Sequence, residues 1–434
     1  MRFYSTNSPQ SFVSLKEAVF KGLPEDKGLY MPAEIPVLPD SFLSNLEKYS
    51  FQEIALKVSE HILAGTIPPK DLQQIIEKSI TFPAPLVSLN EHIKVLELFH
   101  GPSLAFKDFG ARFMAQLMSH LNKNENKELT ILVATSGDTG GAVAAGFYKT
   151  PGINVIILYP SGKVSNLQEK QLTTLGHNIR AVEVKGTFDD CQALVKQAFL
   201  DNDIRKKIRL SSANSINISR LIPQSFYYFE ALKQLDYKNS KTVFCVPSGN
   251  FGNLTAGLMA KKMGLAIDHF IAATNVNDVV PAYLRTGDFV PRTSVPTISN
   301  AMDVGNPSNF ARMLDLFNSD WKIIKKKISG FAFTDSETRA GIREIYDKYH
   351  YVMDPHGSVG YLALKKFLND NSEYKGIILE TAHPSKFIEV VEEVLGCKIN
   401  IPERLAVLAN QTKRSTLLST DFSSFKSFLL SDES

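Results

Sequence analysis

The sequence has little cysteine and no long apolar run. Its three cysteines, Cys191, Cys245 and Cys397, are odd in number and far apart in a chain of 434 residues. This spacing excludes a disulfide framework and a cysteine-based metal cluster, and it favours a reducing cytoplasm. Apolar runs such as 155–158 fall far short of the roughly 20 residues that cross a bilayer. The sequence therefore predicts neither a disulfide scaffold nor a transmembrane helix.

The sequence also lacks an excess of one charge. Lysine and arginine number 48 against 45 acidic residues, which gives a formal net charge of +3. Short basic clusters at 205–207 and 325–327 contain no interleaved aromatic residues, so we interpret them as solvated faces. The first residues lack the apolar core of a secretory signal. These absences predict a soluble cytoplasmic protein without nucleic-acid or membrane partners.

The chain is too long for one ordinary hydrophobic core, which predicts two or three domains. Residues 1–84 show helical periodicity and proline-rich joints, and they predict an N-terminal helical layer. From residue 85 onwards, short β-rich runs alternate with helical stretches, which is typical of the α/β class. The main predicted strands are 129–135, 153–159, 179–184, 242–246, 269–274 and 376–381.

We expect two doubly wound, mostly parallel sheets, one in a smaller domain at 85–210 and one in a larger domain at 211–434. The larger domain ends in one or two peripheral helices at 403–430, and the irregular segment 281–307 is a candidate mobile cover. In such sheets, ligands bind in the crevice beyond the carboxyl ends of the strands.

One lysine, Lys107, lies where a cation is unfavourable. It falls in the first turn of a predicted helix whose apolar face includes Phe106 and Phe109. The helix dipole and the aromatic neighbours both lower the pKa of such a lysine and favour the neutral amine that Schiff-base formation requires. The alternative is structural: the Lys107 stem passes a core helix while Asp108 supplies a counter-charge.

Two glycine-containing loops each lie between a predicted strand and a helix of small residues. The first loop, 135–141, presents backbone N–H groups and hydroxyls that suit an anion, although the same pattern serves as a helix cap. The second loop, 246–253, has Gly249 and Gly252, which let the backbone approach a phosphate closely. This second loop has neither the Walker A nor the full dinucleotide-binding pattern, so nucleotides are disfavoured.

Two further side chains have alternative interpretations. Thr381 follows the last predicted core strand and precedes a helix that begins with proline, so it is a helix cap or the neighbour of a pyridine nitrogen. Arg220 opens a predicted amphipathic helix, where it either forms a surface salt bridge or offers its planar fork to a phosphate.

In their order and spacing, these motifs resemble the threonine synthase family of tryptophan-synthase-β-like, fold type II pyridoxal-phosphate enzymes. The resemblance runs from 4–6 and 27–32 to 381–387. It implies that Lys107 is the catalytic lysine and carries pyridoxal 5′-phosphate as a Schiff base, and that Thr381 faces the pyridine nitrogen. It also implies a set of residues that hold the cofactor phosphate, namely Gly249, Asn250, Phe251, Gly252 and Asn253.

The resemblance also implies a substrate site. The first glycine loop corresponds to the site for the substrate carboxylate and the cofactor O3′, formed by Ser136, Gly137, Asp138 and Thr139. Many relatives have asparagine where this chain has Asp138, and an ionised carboxylate would repel both cofactor oxygen and substrate. The role of Asp138 therefore stays open. The segment 214–220 corresponds to a clamp for the substrate phosphate, made by Asn214 and Arg220.

The activity that the resemblance implies is the conversion of O-phospho-L-homoserine and water into L-threonine and phosphate by β,γ-elimination and replacement. We weigh this lyase, the last enzyme of threonine biosynthesis, against a serine or threonine dehydratase of the same fold and a catalytically silent paralogue. The Asn214 and Arg220 clamp favours a phosphorylated substrate, while Lys107 argues against a silent protein. We expect no metal site, and either a monomer or a homodimer.

Overall fold

The computed structural model describes residues 1–125, 127–135, 137–235 and 240–431, and these residues form three sheets with helices packed around them. The strands are β1 (Phe3–Ser5), β2 (Ser8–Val13), β3 (Tyr30–Pro32), β4 (Leu86–Ser88), β5 (Ile93–Glu97), β6 (Leu129–Ala134), β7 (Ile153–Pro160), β8 (Ile179–Val184), β9 (Arg209–Ser211), β10 (Lys241–Pro247), β11 (His269–Thr274), β12 (Ile328–Ala332), β13 (Tyr374–Glu380) and β14 (Thr416–Leu418).

The helices are α1 (Leu15–Lys21), α2 (Asp40–Leu43), α3 (Phe51–Ile62), α4 (Pro69–Ser79), α5 (Lys107–Asn122), α6 (Asp138–Phe147), α7 (Asn166–Thr173), α8 (Phe188–Leu200), α9 (Asn202–Lys207), α10 (Ile218–Leu221), α11 (Phe226–Lys233), α12 (Gly252–Lys262), α13 (Val279–Thr286), α14 (Phe310–Leu316), α15 (Trp321–Lys327), α16 (Asp335–Tyr349), α17 (Pro355–Asp370), α18 (Ile388–Leu395), α19 (Glu403–Ala409) and α20 (Phe422–Leu430). Short 3-10 turns lie at Leu46–Lys48, Ile222–Ser225, Asn300–Met302 and Pro384–Phe387.

Two mainly parallel sheets form the body of the protein, which confirms the expected α/β class. The smaller sheet has the order β14-β8-β7-β6-β9, and all its strands run parallel. The larger sheet has the order β12-β11-β10-β13-β5-β4, and only its edge pair, β4 with β5, is antiparallel. The central strands are buried because helices cover both faces, which explains why they appear in the sequence as continuous apolar runs.

The N-terminal region contains helices α1–α4, as expected for residues 1–84, and also a small antiparallel sheet with the order β2-β1-β3. Sequence patterns missed this sheet because β1 and β3 are only three residues long and β2 is largely exposed. A short strand gives too few residues for an alternating pattern to be recognised.

The two sheets do not follow the expected division at residue 210. Strands β4 and β5 come before the smaller sheet in the chain but belong to the larger one, and β14 returns from the C-terminal region to the edge of the smaller sheet. Periodicity along the chain does not specify which strands become neighbours in space, so the domain borders stay a prediction. None of the helices in the described ranges is long and apolar enough to cross a membrane.

Candidate active site

Predicted site residues lie where strands of the two sheets end. The loop before α6 follows β6, the loop before α12 follows β10, and Thr381 comes directly after β13. Backbone contacts connect the segment before α5 to the Thr381 region, because Ala105 pairs with Ala382 in an isolated antiparallel bridge and Phe106 N–H donates to the Thr381 carbonyl at 2.9 Å. The bridge fixes the start of α5, and therefore Lys107, beside the end of the larger sheet.

Lys107 is the first residue of α5, as the sequence predicts, and 16% of its side chain is exposed. Its Nζ lies 5.2 Å from the centroid of the Phe106 ring and 3.8 Å from Asp138 Oδ2. Burial lowers the pKa of Lys107; the Asp138 carboxylate opposes this shift, whereas Lys386 and Arg220 reinforce it. A lysine with these surroundings gives up its proton readily, which suits a nucleophile or a base.

Small residues bring helices α5 and α6 close together. A Cβ added to Gly146 of α6 would lie 2.9 Å from the backbone carbon of Ala111 in α5, so a larger side chain would force the two helices apart. The predicted small-residue helix is therefore a packing feature as well as part of a loop motif. This close approach keeps the first turn of α6, which contains Asp138, beside Lys107.

Asp138 begins α6 and is the acidic centre of the site. Its Oδ1 accepts from Lys386 Nζ at 2.8 Å and from Gln168 Nε2 at 3.0 Å, and 9% of its side chain is exposed. Burial disfavours the charge of Asp138, but Lys386 and Lys107 outweigh it and hold the pKa below its usual value. The carboxylate is thus ionised, and its charge is compensated inside the protein.

Lys386 is a site residue that sequence reasoning missed. It lies in the 3-10 turn Pro384–Phe387 with 1% of its side chain exposed. It was part of the segment that carried the family resemblance, but a lysine beside proline in a turn gives no local signal of burial. Only the contact of Lys386 with Asp138, which lies on α6 beside the smaller sheet, indicates a role.

The remaining residues of the first glycine loop have separate roles. Ser136 lies outside the described residues. Gly137 has a φ of 144°, a conformation that favours glycine. The hydroxyl of Thr135 accepts from the N–H groups of Gly137 and Gly140 at 3.0 and 2.9 Å, so Thr135 caps the start of α6 and leaves the half-buried Thr139 available for a ligand.

The second glycine loop is held from several sides. Asn250 donates from Nδ2 to Ser215 Oγ at 3.0 Å and accepts at Oδ1 from the Ser308 N–H at 2.6 Å. Phe251 adopts a left-handed φ of 59° immediately before α12. Asn253 Nδ2 donates to the Pro247 carbonyl at 2.8 Å. The two asparagine side chains therefore shape the loop, and its backbone N–H groups are the part suited to a phosphate.

The two glycines of this loop face different surroundings. A Cβ on Gly249 would lie 2.4 Å from the Ala301 carbonyl oxygen, so the protein itself requires glycine there. A Cβ on Gly252 would meet its nearest neighbour, Asn309 Nδ2, at 3.4 Å, which is ordinary contact. The segment 281–307 is expected to be irregular, but its first residues, up to Thr286, belong to α13; its later part packs against the loop through Ala301.

Thr381 is 6% exposed and lies one residue after a buried carboxyl, Glu380. Glu380 Oε1 accepts from the Asp354 N–H at 2.9 Å. Burial, followed by the nearby Asp354 carboxylate, raises the pKa of Glu380 well above its usual value, which favours the protonated form of this carboxyl. The end of β13 therefore presents the hydroxyl of Thr381, and a hydroxyl partner suits an unprotonated ring nitrogen.

The two members of the predicted phosphate clamp differ in burial. Arg220 is 2% exposed and donates from Nη1 to the Ala213 carbonyl at 2.9 Å, while its buried Nε has no hydrogen-bond partner in the described ranges. Asn214 is exposed on the preceding turn. Burial lowers the pKa of Arg220 to about 10, against the effect of Asp108, so the guanidinium stays charged at neutral pH.

These residues fit a phosphate-bearing aldehyde cofactor. The structure provides a buried lysine with a lowered pKa and a loop of backbone N–H groups at a helix start, where a Cβ on Gly252 would make only ordinary contact; for a phosphorylated substrate it also provides a buried arginine, Arg220, with an unsatisfied donor. Buried polar groups are normally paired, so an unpaired guanidinium N–H next to the site is consistent with an anionic ligand.

Comparison with known families covers almost the whole chain. Residues 80–379 match the family described as "Pyridoxal-phosphate dependent enzyme". Residues 2–80 match "Threonine synthase N terminus", and residues 357–429 match "Threonine synthase, C-terminal".

Individual proteins give the same result. The chain is 47% identical to threonine synthase of Haemophilus influenzae over 431 residues, which cover 99% of this chain and 100% of that protein. The crystal structure of threonine synthase from Escherichia coli, at 44% identity, superimposes with a TM-score of 0.90 and covers 99% of this chain and 100% of its own. The structure of pyridoxal-phosphate-bound threonine synthase from Brucella melitensis, at 33% identity, has a TM-score of 0.93 and covers 99% and 98%.

Proposed function

Because the chain belongs to the threonine synthase family of pyridoxal-phosphate-dependent enzymes, we propose that it converts O-phospho-L-homoserine and water into L-threonine and phosphate at the site around Lys107. The position of Lys107 is the observation that supports assigning this reaction to particular residues. The backbone bridge from Ala105 to Ala382 fixes the start of α5 beside the end of β13, and the Lys107 amine lies 3.8 Å from Asp138 Oδ2.

The residues around Lys107 divide into a cofactor group and a substrate group. Lys107 binds the cofactor aldehyde, Thr381 faces its ring nitrogen, and the backbone of the loop 249–253 holds its phosphate. Gly137 and Thr139 at the start of α6 bind the substrate carboxylate, where the helix dipole favours a negative charge. Once bound, pyridoxal phosphate supplies an electron sink for the pair released at the substrate Cα.

Lys107 also moves protons. With the substrate in the site, the free Lys107 amine would remove the Cα proton and later return a proton to that carbon. Burial lowers the pKa of Lys107, which favours the neutral amine that acts as a base. Water must attack only after phosphate has left, and the burial of Lys107 and Asp138 limits the entry of water before that point.

Arg220 favours a phosphorylated substrate over the unphosphorylated amino acids that a dehydratase uses. A buried guanidinium is costly unless an anion compensates it, and the phosphate of the substrate supplies two negative charges. The Asp108 carboxylate opposes the lowering of the Arg220 pKa by burial. Burial also raises the pKa of Asp108 itself to about 6, so the negative charge of Asp108 is less favourable than that of an ordinary carboxylate. The substrate phosphate would be the stronger partner.

The test uses the purified holoenzyme. We expect phosphate release from O-phospho-L-homoserine together with L-threonine formation, and a visible absorption band from the lysine-bound cofactor. Lys107→Ala should lose both, whereas Lys123→Ala, at the exposed end of α5, should keep both. Turnover retained by Lys107→Ala would overturn the assignment, and deamination of L-threonine without phosphate release would favour the dehydratase. The cytoplasmic location and the monomeric or dimeric state stay predictions.

A further inference from the structure

Lys386 and Lys107 approach the same carboxylate with different geometry. Lys386 Nζ lies 2.8 Å from Asp138 Oδ1, which is a hydrogen-bonded ion pair. Lys107 Nζ lies 3.8 Å from Asp138 Oδ2, beyond hydrogen-bond distance. Asp138 therefore has one hydrogen-bonded ammonium partner, Lys386, and one more distant ammonium partner, Lys107, which is the proposed cofactor lysine.

The Lys386 amine is fully occupied by protein groups. Besides Asp138, it donates to the Ser103 carbonyl at 2.9 Å and to Gln171 Oε1 at 3.3 Å. An ammonium group has three N–H donors, so all three have acceptors and the group has no donor left for a ligand. With 1% of its side chain exposed, Lys386 is held in one position.

These contacts connect parts of the chain that surround Lys107. Lys386 lies after β13 of the larger sheet, Asp138 and Gln171 lie on α6 and α7 beside the smaller sheet, and Ser103 precedes α5. The Gln168 amide also donates to Asp138 Oδ1, at 3.0 Å. The Asp138 carboxylate is thus oriented by two side chains other than Lys107.

We infer that Lys386 is a positioning residue for the reaction: it holds the Asp138 carboxylate in a buried ion pair and so leaves the Lys107 amine as the weakly bound, replaceable partner. This inference rests on the proposed role of Lys107. It also explains how an ionised Asp138 is tolerated beside the proposed cofactor site, because Lys386 cancels the charge that would repel the cofactor oxygen and the substrate.

The charges that face Lys107 come from four elements. Asp138 on α6 and Asp354 before α17 favour its protonated form, whereas Lys386 in the 3-10 turn and Arg220 on α10 disfavour it. Without Lys386, Asp138 would be a buried carboxylate in need of a cation, and Lys107 is the ammonium group beside it. When Lys386 is removed, the Lys107 amine should therefore hold its proton more tightly.

The experiment measures Lys107 in the apoprotein, so it does not depend on activity. Apoprotein is labelled with a trace of acetic anhydride at a series of pH values, and the Lys107 peptide is quantified by mass spectrometry against the exposed Lys398. Lys386→Met should label Lys107 about tenfold more slowly near pH 8 and shift its labelling profile to higher pH. Lys365→Met, which removes an exposed ion pair with Glu344, is the matched control and should leave the profile unchanged.

The Asp138→Asn background separates a positioning role from a simple charge effect. If Lys386 acts through Asp138, Lys386→Met should slow labelling much less in this background than in the wild type. An equal slowing in both backgrounds would show that Lys386 acts only as a neighbouring like charge, and no slowing would show only a structural cross-link; both results overturn the inference.

A second variant covers the case in which Lys386→Met fails to fold. Lys386→Gln keeps a hydrogen-bond donor but loses the charge, and it should shift the profile in the same direction. The double variant with Asp138→Asn leaves no unpaired carboxylate and should fold in either case. The proposed function is tested separately by the loss of the visible band in Lys107→Ala, because that measurement does not depend on the labelling result.

Discussion

The guanidinium of Arg312 donates two hydrogen bonds to the carbonyl oxygen of Tyr30, from Nε at 3.2 Å and from Nη2 at 2.8 Å, although the two residues are 282 positions apart in the chain. The same group donates to Asn309 Oδ1 and to the Ile216 carbonyl, both at 2.7 Å. Arg312 is fully buried. Arg312 therefore connects the N-terminal sheet, the turn before Arg220 and Asn309, whose side chain lies next to Gly252.

Arg312→Lys should destabilise the apoprotein strongly. An ammonium group on a shorter chain cannot reproduce a planar fork that reaches three acceptors, so at least two buried hydrogen bonds are lost. We expect a loss of about 2–4 kcal/mol in the free energy of unfolding by urea. Arg339→Lys, at an exposed ion pair with Glu393, should change it by less than about 0.5 kcal/mol. Equal effects of the two variants would contradict the role of Arg312.

Alanine at the two glycines of the phosphate loop should have different effects. Gly249→Ala places a Cβ 2.4 Å from the Ala301 carbonyl oxygen, so it should lower both the stability of the apoprotein, by about 1–3 kcal/mol, and the affinity for the cofactor. Gly252→Ala meets its nearest neighbour at 3.4 Å and should leave the apoprotein stable. If the cofactor phosphate approaches the backbone at Gly252, the Gly252→Ala variant should still bind pyridoxal phosphate about tenfold more weakly.

Thermal unfolding of the apoproteins and titration with pyridoxal phosphate, followed by visible absorbance, measure the two effects independently. Unchanged cofactor affinity in Gly252→Ala would remove Gly252 from the phosphate site. Unchanged stability in Gly249→Ala would show that the 301–302 segment moves away without cost.

Glu380 should make the apoprotein less stable as the pH rises. Its pKa in the folded protein is raised well above the unfolded value, chiefly by burial, so the folded state keeps a proton that the unfolded state releases. This contribution to stability is fully present below the unfolded pKa of about 4.3 and is lost as the pH rises through the folded pKa. The loss approaches about 1.4 kcal/mol per pH unit in that window.

Glu380→Gln should remove this dependence because glutamine does not titrate and its Oε1 still accepts from the Asp354 N–H. Urea unfolding between pH 5 and pH 8 measures the slope. Glu373→Gln, at an exposed position, serves as the control and should keep the wild-type slope in this range. A Glu380→Gln protein with the same slope as the wild type would show that Glu380 does not hold the extra proton.

Arg220→Gln should weaken the binding of the phosphorylated substrate. Removing a buried charge that pairs with a substrate phosphate costs about 2–5 kcal/mol, so kcat/KM should fall at least about 30-fold, mainly through KM. The visible band should persist because Arg220 is not proposed to hold the cofactor. Arg285→Gln, at an exposed ion pair with Asp278, should behave as the wild type. Steady-state phosphate release with an unchanged KM would exclude Arg220 from the substrate site.

Local patterns predicted the elements that carry the site. The first turn of α5 with Lys107, the strand before each glycine loop and the position of Thr381 after β13 all follow from periodicity and loop chemistry within about ten neighbouring residues. The predicted strands match β6, β7, β8, β10, β11 and β13 to within two residues at each end. The short strands β1, β3 and β14 gave no comparable signal because three residues are too few to show a period.

The sequence by itself therefore determined the α/β class, the lysine at a helix start and the two glycine loops, because each depends on residues that are adjacent in the chain. The tertiary structure decided which side chains meet. It placed Lys386 against Asp138, and it buried Arg220 while leaving Asn214 exposed. It also gave Arg312 its distant partners. Packing selects these contacts across large sequence separations, where the pattern around each residue carries no information about its partner.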